Sequence, residues 1–256
     1  MTNTVKRLDF RDRGSVTIVA DADALAHAAA EQIIEVSRAA KAESRAALVA
    51  LSGGSTPKRM GQMLATPEYS DRVAWDHLKL FWGDERFVPL ADEQSNAGEA
   101  LRAFIEAAPI HPDDVYTWDT CDTTPEKSAQ DYEADIRAAS ETETGVPVFD
   151  LIQLGMGDDG HTLSLFPGTA AIHNTTDIVL AHHVDKLNAD RVTFTPLLAN
   201  AARKVAFLVG GAGKADMLHN VLQGELDVDT WPSQVIRPTN GELLWIVDEA
   251  AAANLG

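Results

Sequence analysis

The chain has 256 residues, 45% of them hydrophobic, with 21 Lys and Arg against 39 Asp and Glu and a formal net charge of −18 at pH 7. That apolar content excludes a disordered chain, and the length suits one large α/β domain or two small ones. The acidic field repels a long polyanion and so argues against nucleic acid as a partner, but a small phosphorylated metabolite stays open because local amides and cations decide its binding.

The N-terminal stretch MTNTVKRLDFRDRG has no apolar stretch typical of a signal peptide. No run approaches the roughly 18 consecutive apolar residues of a membrane span. The first strand is expected at VTIVA (16–20), followed by a helix over 22–42 that Asp21 or Asp23 can cap. Further strands are expected at AALVAL (46–51), LKLFW (78–82), VYTW (115–118), FDLIQL (149–154), KVAFLV (204–209) and LLWIV (243–247). Helical composition falls between them at 57–65, 95–107, 126–140 and 213–223. Near-continuous apolar runs suit strands covered on both faces, so the alternation reads as a doubly wound α/β fold, a mostly parallel sheet with helices on both faces. IVLAHHV (178–184) and RVTFT (191–195), joined by polar DKLNAD, read as an antiparallel hairpin near 178–195 on that otherwise parallel sheet. With no repeat, low-complexity segment or linker, 1–256 is read as a single domain. The one cysteine, Cys121, allows neither an intrachain disulfide nor a thiolate-rich metal cage, and the chain is expected in the cytoplasm, without a membrane partner.

Ligands of such sheets gather at the carboxyl ends of strands, and four of those ends carry unusual residues. After AALVAL, SGGSTP offers Gly53, Gly54, Ser55 and Thr56 at a helix start, which is either a phosphate cradle or an ordinary capped turn. It lacks the Walker A pattern. After LKLFW, GDERFVP sets Asp84, Glu85 and Arg86 on a loop, as an anion site or as a solvated charged turn. After KVAFLV, Lys214 in GGAGKA falls in a first helical turn, where a cation is unfavourable unless an anion sits nearby; a plain surface lysine is the alternative. After FDLIQL, GMGDDGHTLSLFPG contains G-x-G-x-x-G, but Asp158 and Asp159 lie inside the loop and Pro167 and Gly168 replace a helix, so a dinucleotide site is not expected. The same loop places Asp159 two residues before His161. A sharp turn at Gly160 lets the carboxylate hold one ring nitrogen and leave the other as a general base; a purely structural histidine is the alternative.

Together, SGGSTP, GDERFVP with the following SNAG, GMGDDGHTLSLFPG and GAGKA resemble the 6-phosphogluconolactonase family, in order and over nearly the whole chain. The fold is shared with glucosamine-6-phosphate isomerases (deaminases), which read G-D-E-Y where this chain has Arg86 and carry a glutamate where it has Phe166. The resemblance therefore implies hydrolysis of 6-phospho-D-glucono-1,5-lactone, with no metal or organic cofactor and a monomeric chain. It implies a phosphate site at Gly53, Gly54, Ser55 and Thr56 and a base at His161. In the expected chemistry His161 activates water, Asp159 sets its tautomer, and Arg86 beside Asp84 binds phosphate or the oxyanion. Lys214 and Arg191 are further candidates for the anionic substrate. An isomerase, or a sugar-phosphate sensor without catalysis, are the alternatives; a DNA-binding regulator is disfavoured because the segment before VTIVA cannot hold a helix-turn-helix.

Overall fold

The computed structural model describes residues 6–256. Seven strands, β1 (Lys6–Asp9), β2 (Ser15–Val19), β3 (Ala47–Leu51), β4 (Leu78–Trp82), β6 (Leu151–Leu154), β9 (Lys204–Val209) and β10 (Glu242–Asp248), form a sheet in the order β1-β2-β10-β9-β6-β3-β4. A second sheet holds β5 (Asp84–Arg86), β8 (Ala189–Phe194) and β7 (Val179–Val184), in that order. In the large sheet only the edge strand β1 runs antiparallel to its neighbour. The expected α/β sheet is present, and the strand order reverses between β3 and β6. With right-handed crossovers, that reversal sends the connecting helices to opposite faces and opens a crevice at the carboxyl ends of β3 and β6.

Helix α1 (Ala22–Ala42) starts where Asp21 accepts the N–H groups of Asp23 and Ala24, so Asp21 is the capping residue. Its buried stripe, Leu25, Ala26, Ala29, Ala30, Ile33 and Ile34, repeats at helical spacing and lies across β10, β9, β6 and β3. Each buried Leu or Ile there contributes roughly 1.5–3 kcal/mol. The other helices are α2 (Ser55–Leu64), α3 (Pro67–Ser70), α4 (Asn96–Ala103), α5 (Pro125–Ala139), α6 (Pro196–Ala199) and α7 (Ala215–Gln223).

Three expectations are corrected. VYTW (115–118) is not a strand: Val115 makes one isolated bridge to Leu80, and the chain then turns Trp118 inward. There its ring stacks on Tyr132 at 3.7 Å and its indole N–H donates to the Trp82 carbonyl at 3.0 Å. The gain from burying an indole with its N–H satisfied exceeds that of a few more ladder bonds at a sheet edge. The hairpin forms but pairs with β5 rather than with the large sheet. For the same reason GDER is a short strand, not a free loop.

The two sheets meet over an aromatic cluster in which Phe194 of β8 lies 5.1 Å from Phe149 and 6.4 Å from Trp118 between ring centroids. Trp118 is 1% exposed. Trp118→Ala is expected to destabilise the fold by roughly 3–5 kcal/mol, read as a lowered midpoint in urea unfolding with little change of slope.

Candidate active site

The loop after β6 builds the centre of the site. Gly160 has φ +77°, the left-handed turn that brings the chain back on itself. The His161 Nδ1 then lies 2.5 Å from Asp159 Oδ1, and the His161 carbonyl accepts the Gly157 N–H at 2.8 Å. Gly157 must lack a side chain, because a Cβ there would stand 2.0 Å from His161 Nδ1. Burial works to raise the Asp159 pKa, but hydrogen bonds from His161 and Lys186 outweigh it and hold the carboxyl at about 2. An ionised carboxylate only accepts, so Nδ1 carries the proton and Nε2 presents its lone pair. Among the described residues no group hydrogen-bonds Nε2. The Phe166 ring stacks on the imidazole, 4.2 Å between centroids and 28° between planes.

The strand β5 supplies the second component. Glu85 is 1% exposed and accepts the N–H groups of Arg86 (2.8 Å), Asn96 (2.8 Å) and Ala97 (2.9 Å) as well as the Ser95 hydroxyl (3.0 Å). Burial pushes its pKa up, and the backbone donors oppose that shift. This buried carboxylate ties β5 to the start of α4, where its charge also suits the helix dipole. Arg86, beside it, donates to the Gln94 carbonyl at 2.6 Å and lies directly across the sheet from Arg191. Burial, then the charge of Arg86, lowers the Arg191 pKa. Asp84 accepts from the Ser164 hydroxyl at 2.7 Å.

Two adjoining cavities share Asp84, Arg86, His161 and Leu163. One, about 430 Å³, reaches Asp159, Phe166, Lys186 and Arg191. The other, about 300 Å³, runs to Ser52, Gly53, Gly54, Asn96, Gly157 and Lys214, at the crevice between β3 and β6. Of the residues expected at the site, Gly53, Gly54, Asp84, Arg86, Asp159, His161, Arg191 and Lys214 converge on these cavities. Ser55 and Thr56 lie in the first turn of α2 and line neither. Lys214 forms an ion pair with the exposed Asp158, whose pKa it lowers through their hydrogen bond.

Ser52, Asn96, Ser164 and Lys186 also line these cavities, without having been expected there. Ser52 directly follows an apolar run, so the strand-end rule reaches it, and Asn96 sits in SNAG, one of the blocks that carry the family resemblance. Lys186 stands in a polar hairpin turn with no signal of its own. Among the described residues no group of three or more His, Cys, Asp or Glu is placed to hold a metal ion.

Asp159 links the site to stability. Its folded pKa lies below the usual 3.8, so its contribution is whole above about pH 4 and is lost as pH falls towards 2. Asp159→Asn is expected to be less stable than the parent near pH 5, with the gap narrowing near pH 2.5, as read by urea unfolding at both values. Gly157→Ala is expected to abolish most activity while leaving the far-ultraviolet circular dichroism unchanged.

The profile of the family described as Glucosamine-6-phosphate isomerases/6-phosphogluconolactonase matches residues 20–245. A 6-phosphogluconolactonase of Synechocystis is 39% identical over 215 residues, covering 84% of this chain and 87% of the relative. One from Nostoc is 38% identical over 208 residues, covering 81% and 84%. The solved 6-phosphogluconolactonase of Trypanosoma cruzi superposes with a TM-score of 0.82 at 28% identity, covering 97% of this chain and 98% of that one. With this extent of similarity, and with its glycine loops and the Asp159–His161 pair in place, the chain belongs to the glucosamine-6-phosphate isomerase/6-phosphogluconolactonase family.

Proposed function

We propose that this chain hydrolyses 6-phospho-D-glucono-1,5-lactone to 6-phospho-D-gluconate, the lactonase step of the oxidative pentose phosphate pathway. The observation that carries the reading is the Asp159–His161 pair at the junction of two cavities, with Phe166 stacked on the imidazole. The family description spans two activities, and at Phe166 this chain offers an apolar ring where an isomerase needs an acid to move protons.

The geometry supports the following chemistry. A δ-lactone carbonyl is reactive enough that water suffices as nucleophile, provided a base removes its proton. His161 Nε2 takes that proton as the oxygen attacks C1, and Asp159 steadies the imidazolium. The oxyanion develops towards Arg86 and Arg191, whose like positive charges, facing each other across the paired strands, favour an anion between them. As the tetrahedral centre collapses, the C1–O5 bond breaks and the imidazolium returns the proton to O5. Gly53 and Gly54, at the N-terminus of α2, and Lys214, in the turn before α7, hold the phosphate, which displaces exposed Asp158 from the lysine. Binding energy from that remote group positions the carbonyl. This mechanism asks for no metal or organic cofactor.

We further propose that the chain is one domain and a monomer, located in the cytoplasm, with no nucleic-acid or membrane partner. A core continuous from Val16 to Leu255 supports the single domain, and the −18 charge supports the absence of nucleic acid. Among the described residues no helix is long and apolar enough to cross a membrane.

The deciding assay generates the lactone in situ from glucose 6-phosphate and detects 6-phosphogluconate with its dehydrogenase. The parent chain is expected to exceed spontaneous hydrolysis, and His161→Ala to lower kcat by about 10²–10⁴-fold. Lys214→Ala is expected to raise KM first. A parent chain no faster than background, with ammonia released from glucosamine 6-phosphate, would transfer the assignment to the isomerase.

A further inference from the structure

The Asp159 carboxylate is divided between two partners, one on its own loop after β6 and one in the turn of the small sheet's hairpin. Oδ1 meets His161 Nδ1 at 2.5 Å, and Oδ2 accepts from Lys186 Nζ at 2.9 Å. Lys186 sits at the tip of the β7–β8 hairpin, in a tight turn closed by Asn188 at φ +45°. Its side chain is 69% exposed, while that of Asp159 is 27% exposed. An exposed pair of this kind adds little to stability. Its consequence is electrostatic, because the lysine sits against the carboxylate that holds the imidazole.

We infer that Lys186 is a positioning residue that sets, through Asp159, the pH at which His161 sheds its proton. The inference deepens the lactonase reading and rests on it only where the base role of His161 is concerned. The charged groups around the imidazole come from every neighbouring element. Its own loop brings Asp158 and Asp159, β5 brings Asp84 and Arg86, β8 brings Arg191, and the turn before α7 brings Lys214. Lys214 is engaged by Asp158, and the Asp84 carboxylate by Ser164. Lys186 is the cation that bonds directly to Asp159, the carboxylate in contact with the ring. Pairing with the lysine draws on the negative charge of Asp159, so the carboxylate stabilises imidazolium less than it would alone. Removing the lysine leaves that charge undivided, and the ring then keeps its proton to higher pH.

The test follows the His161 ring proton by NMR across pH in the whole protein, the resonance being assigned by its absence in His161→Ala. In Lys186→Gln the titration midpoint is expected about half a pH unit above that of the parent at low salt, and Lys186→Arg is expected to restore it. The difference should shrink in ~1 M salt, where the Debye length is about 3 Å. Melting temperature is expected to stay unchanged in both variants. An unchanged midpoint in Lys186→Gln overturns the inference. So does a shift that persists undiminished at high salt, which marks a rearranged loop rather than a lost charge. A raised KM without a change of midpoint also overturns it and places the lysine on the substrate instead. In parallel, the acid limb of kcat/KM, corrected for spontaneous hydrolysis, is expected to follow the midpoint. If the midpoint moves while the limb stays, the coupling stands and the base role of His161 fails.

Discussion

Gly83 makes two backbone hydrogen bonds to opposite sides of a seam. Its N–H donates to the Leu51 carbonyl of β3 at 3.0 Å, and its carbonyl accepts the Phe194 N–H of β8 at 2.7 Å. A Cβ at this position would lie 2.7 Å from the Leu163 side chain, on the loop that bears His161. The large sheet, the small sheet and the histidine loop therefore meet at one residue, where any side chain would press on the Leu163 methyl. Arg86 and Arg191 belong to one side of this seam, and Gly53 and His161 to the other. Beneath it, Trp118, Tyr132, Phe149 and Phe194 supply the buried area that holds the sheets together.

Charge is arranged against the average of the molecule. A chain of net charge −18 presents Arg86, Arg191, Lys186 and Lys214 around two small cavities. Placing two guanidiniums opposite each other on adjacent strands is unfavourable for folding. Asp84 and buried Glu85 offset part of that cost. Glu85 has a mechanical role as well, since its four hydrogen bonds fix the strand from which Arg86 projects.

The legible parts of the fold are those governed by local pattern. KVAFLV and LKLFW are strands over their full predicted lengths, and the helix expected at 22–42 occupies Ala22–Ala42. Apolar run length, helical spacing and an aspartate cap are sufficient for each. VYTW has the composition of a strand but departs from the sheet, because Trp118 gains more by stacking on Tyr132 of α5 than by extending an edge. The hairpin at 178–195 was legible as a pair of strands, yet its attachment to Asp84–Arg86 was not. β5 is three residues long and contains only Asp, Glu and Arg, so neither hydrophobicity nor period marks it as a strand.

The candidate site divides in the same way. The sequence by itself determined the chemistry on offer: glycine loops at strand ends, an aspartate two residues before a histidine, Phe166 in place of an acid, and the motif order that places the chain in its family. Those features lie within single loops, where backbone geometry and residue type suffice. Only the tertiary structure decided which cations meet those loops. Lys186 reaches Asp159 across 27 positions of sequence, Arg86 faces Arg191 through pairing of distant strands, and Ser55 and Thr56 fall outside the cavities their glycine neighbours line. Contacts between separate segments depend on how two sheets dock, and docking is set by summed burial over the whole core rather than by any local pattern.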